Sequence, residues 1–258
     1  MGVLSIVVTI AIIVLIIILV KYWLSDPYTL QNVQSGETAS TIDATSLATN
    51  GTGSTSSNFT YSMWFFINDW NYRYGEPKVL FGRMGSSSST SSDGSLDGIS
   101  GIDPCPAVVL GSTQNNISVS LGCYPGADEE PTTPGGSTSV NTFTIDNVPI
   151  QKWVNLVISV YGRTMDLYID GKLVRTCLLS GVASINNDAN IHVTPGGGFD
   201  GWTSKLQFFP TPMNPQQVWN IYTQGYQGTW FSNFFGFGNY QVEVALVENG
   251  ITQGTLTI

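Results

Sequence analysis

Charge is scarce in this chain: of 258 residues only 10% are Asp, Glu, Lys or Arg. Its 9 Lys and Arg stand against 18 Asp and Glu, a net charge of −9. So few cations build no basic groove, which excludes a nucleic-acid partner held through its phosphates. Histidine occurs once, as His192, which argues against His-rich metal sites and a Ser-His-Asp triad. Within NIHVTP it reads as a strand residue. Three cysteines are too few for a disulfide scaffold. One pairing is within reach: a hairpin centred near Gln114 sets Cys105 against Cys123 as a candidate cross-strand disulfide and leaves Cys177 free. Its oxidation depends on the compartment.

What is present is apolar and β-prone. With 42% hydrophobic and 12% aromatic residues, disorder along the whole chain is excluded. Val3 to Val20 holds no charge, glycine or proline. As a helix it spans about 27 Å at ~1.5 Å per residue, close to the ~30 Å of a bilayer's hydrocarbon core. Lys21, Tyr22 and Trp23 follow as a cationic and aromatic belt. A cleaved signal peptide would need a basic start and a small-x-small site, and both are missing. Residues 1–24 are therefore expected to be a transmembrane anchor, carried by Val3, Leu4, Ile12, Leu15, Val20, Lys21, Tyr22 and Trp23. Its orientation stays open, since Asp26 partly offsets Lys21.

Residues 25–57 read as a neck and a spacer; half of Gln34 to Ser57 is Ser or Thr, with few large apolar residues. From Asn58 the pattern turns to strands. Tyr61, Met63, Phe65 and Ile67 alternate with Trp64 and Phe66, a strand buried on both faces. Val154, Leu156, Ile158 and Val160 share one face of another. Asp170-Gly171 between alternating runs predicts a two-residue hairpin turn, with Leu167 opposite Val174 and Asp166 opposite Arg175. Asn214 caps a short helix that Pro215 opens and Gly225 ends. Residues 229–258 follow as an aromatic tail and two strands around Asn249-Gly250.

The ordered blocks NFTYSMWFFIND, KVLFGRMG, KWVNLVISVYGRTMDLYIDGKLV, FDGWTSKLQFFP and NPQQVWNIYTQGYQG resemble laminin-G-like domains of the concanavalin A-like lectin/glucanase superfamily. The resemblance covers Asn58 to Gly228. It implies an all-β fold, a concanavalin A-like jelly-roll sandwich of two antiparallel sheets over residues 58–228, here joined to the N-terminal transmembrane helix and one short C-terminal-side helix. The wording of NDWNYRYGEPKVLFGRM, VPIQKWVNLVISVYGR and VRTCLLSGVA is similar to membrane-anchored virion proteins, minor capsid components of large DNA viruses of algae and protists. That likeness implies a place at a virion's internal membrane, reached through a host membrane during assembly.

The superfamily's glucanases use closely spaced acids on one strand. No E-x-D-x-E arrangement occurs; Asp128, Glu129 and Glu130 lie in a Pro/Gly loop, and Asp166 and Asp170 flank the hairpin. An enzyme is thus not expected. Asp93, Asp97 and Asp103 are candidate oxygen donors to Ca2+, although their spacing matches no recognised calcium loop, and a solvated loop is the competing reading. No other cofactor is expected. Trp70, Tyr72, Tyr74 and Trp202 are candidate sugar platforms, with packing roles as the alternative. Asn50, Asn58 and Asn116 match the N-glycosylation acceptor. Trp230, Phe231, Phe234, Phe235 and Phe237, with Tyr240, either cover a sheet edge of their own domain or dock on a partner protein. The expectation is a structural virion protein, with the bilayer and capsid or other virion proteins as partners. A membrane-displayed glycan-binding lectin is the alternative, and a glycoside hydrolase a distant third.

Overall fold

The structure, a computed structural model, describes residues 26–47, 57–85, 102–126, 131 and 138–226, the backbone of 243–248 and 251–257, and two isolated residues, Ile12 and Leu15. The strands in chain order are β1 (Thr29–Gln31), β2 (Gln34–Ser35), β3 (Ser40–Ile42), β4 (Phe59–Asp69), β5 (Lys78–Gly85), β6 (Ile102–Leu110) and β7 (Asn116–Cys123). They continue with β8 (Ser139–Asp146), β9 (Trp153–Tyr161), β10 (Thr164–Ile169), β11 (Lys172–Leu178), β12 (Ile191–Val193), β13 (Asp200–Phe209), β14 (Glu243–Glu248) and β15 (Ile251–Thr257). Two antiparallel sheets form the body, and β14 pairs with β15 in a separate two-stranded sheet. One runs β1-β13-β4-β9-β10-β11 with β2 also on β13; the other runs β3-β12-β5-β6-β7-β8. The architecture is the expected all-β sandwich with one short helix, Pro215–Gln224.

The core lies between the sheets and follows the period-2 pattern of the strands. Phe59, Tyr61, Met63, Phe65 and Ile67 of β4 and Val154, Leu156, Ile158 and Val160 of β9 point into it, facing Ile117, Val119 and Leu121 of β7. The other face of the seven-stranded sheet is also covered. Val218 of the helix packs on Val157 and Tyr168 there. Small polar side chains stitch its approach: Thr60 Oγ1 donates to the Thr211 carbonyl at 2.9 Å, and the Met213 N–H donates to Ser159 Oγ at 2.9 Å. The helix starts as its sequence predicts, with Asn214 and Gln217 in a reciprocal capping box and Pro215 in the first turn.

Residues 26–47 correct the expectation of a spacer, which placed the start of the folded body at Asn58. They contribute two short strands to one sheet, β1 and β2 on β13, and one edge strand to the other, β3 on β12. Tyr28 lies 4.7 Å from Phe209 ring to ring, the Ala44 N–H donates to Asn190 Oδ1 at 2.9 Å, and Leu47 is only 1% exposed in the main core. Serine and threonine suit an edge strand whose outer side meets water, and a few apolar residues (Leu30, Ile42, Leu47) suffice to dock it. Residues 48–56 lie outside the described set.

Two register expectations are also corrected. Asp170 (φ 50°) and Gly171 (φ 73°) form the predicted turn, since both need the left-handed region. However, a bulge between Leu167 and Tyr168 leaves Val174 unopposed and moves Arg175 opposite Leu167. Asp166 therefore meets Thr176, whose Oγ1 donates to it at 2.7 Å, and Arg175 turns across the sandwich to the Thr144 carbonyl at 2.9 Å. In the other hairpin, β6–β7 pairs Ala107 with Ser120 and Val108 with Val119. That is one residue out of step with the pairing that would set Cys105 against Cys123, and one step reverses the face of a side chain. All three cysteines are buried free thiols.

Burial pushes the Cys105, Cys123 and Cys177 thiols and the Tyr61 and Tyr168 phenols up from their ordinary values. Above about pH 8.5 the unfolded chain sheds thiol protons that the folded chain still holds, so stability falls as pH rises. Lys78 and Lys205 are pushed down by burial and act in the opposite sense, because between their folded values and about pH 10.4 the unfolded chain holds more protons. The phenols join only near pH 10, so between pH 8 and 10 the thiols carry the falling contribution. A Cys105→Ala, Cys123→Ala, Cys177→Ala variant should therefore lose less melting temperature over that range than the unsubstituted chain, followed by circular dichroism; identical pH profiles would contradict this account.

Candidate functional site

The outer face of the seven-stranded sheet carries an aromatic row. On β4 the positions that alternate with the core are Trp64 and Phe66, where a sheet facing water would place polar residues. From the helix inwards, Trp219 lies 5.4 Å from Tyr222, Tyr222 stacks on Trp64 at 5.6 Å, and Trp64 meets Tyr226 at 6.2 Å. Tyr226 stacks on Trp153 at 4.3 Å with planes 10° apart, and Trp153 lies 5.8 Å from Phe66. Phe66 is paired in register with Trp202 on β13. Trp64 is buried, whereas the two ends of the row are open: Trp219 is 42% and Trp202 49% exposed.

Local backbone makes this packing possible. Gly201 has φ 152°, and a Cβ there would lie 1.9 Å from the Phe66 carbonyl oxygen, so only glycine lets β13 close onto β4 beside Trp202. Ser204 Oγ donates to the Tyr226 carbonyl at 2.7 Å and holds that ring over the sheet. Lys205 sits at a bulge with φ 47°, and its Nζ donates to Gln224 Oε1 at 3.2 Å at the end of the helix. In sequence, Tyr226 lies four residues before Trp230, the first aromatic of the Trp/Phe-rich segment.

A second feature lies at the loop end of the other sheet. A half-open depression of about 340 Å3 is lined by Pro77, Leu110, Ser112, Gln114, Asn116 and Ser118 among others, none of them charged. The Gly75 N–H donates to the Ser112 carbonyl at 3.0 Å and ties the β4–β5 loop to the β6–β7 turn. Tyr74, next to Gly75, is 61% exposed.

The candidate residues separate accordingly. Trp70 packs under Lys78, whose Nζ sits 5.0 Å from its ring and donates to its carbonyl at 2.7 Å. Burial and the nearby Arg73 charge push the Lys78 pKa down. Tyr72 donates to the Gly197 carbonyl at 3.3 Å. Tyr74 and Trp202 are exposed, the first in the β4–β5 loop and the second on β13. His192 is a strand residue sharing a hydrogen bond with Thr41 at 3.3 Å. Asp170 is paired with Lys152 at 2.9 Å and accepts from the Asn155 N–H at 3.0 Å, a hairpin-holding role. Asp103 accepts from Thr138 Oγ1 at 2.6 Å, while Asp93, Asp97, Asp128, Glu129 and Glu130 lie outside the described residues. Among the described residues no three His, Cys, Asp or Glu side chains are grouped to hold a metal ion.

Asn58 is half-buried and its Oδ1 accepts from the Gly162 N–H at 2.7 Å; Asn116 opens β7; Asn50 lies outside the described residues. Trp230, Phe231, Phe234, Phe235, Phe237 and Tyr240 lie outside them too, as do Val3, Leu4, Val20, Lys21, Tyr22 and Trp23. Ile12 and Leu15 are helical and exposed. Among the described residues no helix is long and apolar enough to cross a membrane.

No protein-family model matches the chain, and no curated protein matches it. Solved structures do. The botulinum neurotoxin serotype D binding domain superposes with a TM-score of 0.52 at 14% identity, over 74% of this chain and 41% of that one. The receptor-binding domain of botulinum neurotoxin D gives 0.52 at 14%, over 78% and 46%. The serotype D ligand-binding domain in complex with N-acetylneuraminic acid gives 0.51 at 12%, over 76% and 43%. The chain spans less than half of each. At such identities the likeness shows the fold alone, a jelly-roll sandwich.

Proposed function

We propose that this chain is a membrane-tethered structural protein of a virion, a minor capsid component that works by docking and carries out no catalysis. The observation that carries the reading is the aromatic row on the seven-stranded sheet, open at Trp202 and Trp219 and leading at Tyr226 into the Trp/Phe-rich tail. Half-exposed tryptophans are among the anchors that protein interfaces use. The apolar run from Val3 to Val20 supplies the attachment to an internal membrane, and the sequence resemblance supplies the virion setting.

Crosslinking mass spectrometry on intact particles tests this: crosslinks from Lys152 and Lys172 should reach capsid protein. Substituting Trp202→Ser with Trp219→Ser should lower incorporation about 10- to 100-fold at an unchanged melting temperature, the range expected for losing two interface anchors. Incorporation at the wild-type level would sink the reading.

Glycan binding is the second reading. It is favoured by the uncharged depression beside Tyr74 and by the sialic acid held by one neighbour of the same fold. Saturable binding on a glycan array that Tyr74→Ala abolishes would favour it over the purely structural role.

A further inference from the structure

Because the folded body begins at Asp26, little chain is left between it and the apolar run that ends at Val20. Six residue steps of at most about 3.6 Å each place Asp26 within ~22 Å of the end of that run, whatever path Lys21 to Ser25 take. The 11 residues of β4 alone are longer, about 33 Å at ~3.3 Å per step. Tethered through Val3 to Val20, the body therefore stands with its Asp26 end next to the bilayer.

Register shows what that end carries. The Phe208 N–H donates to the Tyr28 carbonyl at 3.1 Å, Phe209 is paired with Thr60, and Phe59 with Val160. Across the next two strands Tyr161 is paired with Thr164 and Thr164 with Leu178. Arg163, in the β9–β10 turn, donates to the Leu179 and Ser180 carbonyls at 3.2 and 2.9 Å, and the Tyr124 N–H donates to the Val182 carbonyl at 2.9 Å. One end of the sandwich thus gathers Tyr28, Tyr161, Leu178, Val182 and Tyr124, all exposed; Tyr161 is 69% and Leu178 74% open to solvent. Aliphatic side chains this open gain by leaving water, and a tyrosine suits a headgroup layer, with its apolar ring and polar tip. Contact of this kind needs no anionic lipid, which a chain of net charge −9 does not attract. Toward the opposite end lie Trp202, paired with Phe66 late in β4, Trp219, packed at Gly171 in the turn after β10, and Tyr74, which follows β4.

We infer that the end bearing Tyr28, Tyr161, Leu178, Val182 and Tyr124 rests in the headgroup layer of the bilayer that holds Val3 to Val20, and that the opposite end points away from it. This contact depends on the tether proposed above and adds the surface by which the body meets lipid. It leaves the open tryptophans of the aromatic row free for a protein partner.

The test uses the full chain in phosphatidylcholine vesicles that include a lipid with a nitroxide on its headgroup. One added cysteine, from Tyr161→Cys, Leu178→Cys or Tyr74→Cys, carries a fluorophore; the three native cysteines are buried. Nitroxide quenching should be several-fold stronger at positions 161 and 178 than at 74. With the fluorophore on Leu178→Cys, adding Tyr161→Ser and Val182→Ser should lower its quenching several-fold, because the neighbouring side chains that enter the layer are gone. Equal quenching at the two ends, or quenching at 178 unmoved by the serines, would overturn the proposal. Flotation of the same vesicles reads the tether separately: a chain that floats with equal quenching keeps the tether and loses the contact, and a chain that stays behind loses both.

Discussion

Replacing Leu47 by alanine should destabilise the sandwich by about 2–5 kcal/mol, the range for emptying a buried leucine site. For a body of this size that lowers the melting temperature by roughly 5–15 °C. Leu47 is 1% exposed and belongs to the same core as Phe65, Val119 and Leu156. A residue in a free spacer would show no such loss. The experiment therefore decides whether the folded body begins at Asp26 or at Asn58. Urea midpoints that differ by less than the equivalent of ~1 kcal/mol would return residues 26–47 to a linker role.

Introducing Ile12→Arg together with Leu15→Arg should remove the chain from membranes. Each charge at the centre of a spanning helix costs about 2.5–3.5 kcal/mol on insertion scales, so the pair shifts partitioning by several orders of magnitude. Both residues are helical and exposed, and at a spacing of three they lie on one side of the helix. Flotation of the double variant should fail while the melting temperature of its sandwich stays unchanged. A variant that still floats would show that the bilayer is not held by this run.

Where apolar residues repeat with period two, the sequence was sufficient: β4, β9 and the β10–β11 turn lie where the pattern puts them, and the helix has its expected cap. The misreadings share a cause. β1, β2 and β3 are short, polar edge strands whose pairing comes from long-range partners, β13 and β12, and local pattern carries little of that. The bulge at Val174 and the single-residue offset of β6 on β7 are decisions of parity, invisible to composition, and each reversed which side chains meet. Of the aromatic row, Trp202 was singled out as a candidate platform, and Trp64 and Phe66 were read as the second face of a strand buried on both sides, as found. What covers that face, namely Trp153, Trp219, Tyr222 and Tyr226, was not singled out, because it is brought there from the neighbouring strand and the helix.

The arrangement of β1, β2 and β3 also has a mechanical side. The chain enters the body from its N-terminal run at Asp26, whose carboxylate accepts from Gln207 on β13, and within sixteen residues it has joined the margins of both sheets. A pull on the segment that precedes Asp26 would meet the ladders of β1 and β2 on β13 first and that of β3 on β12 next, so force reaches the sandwich through two fastenings in series rather than one.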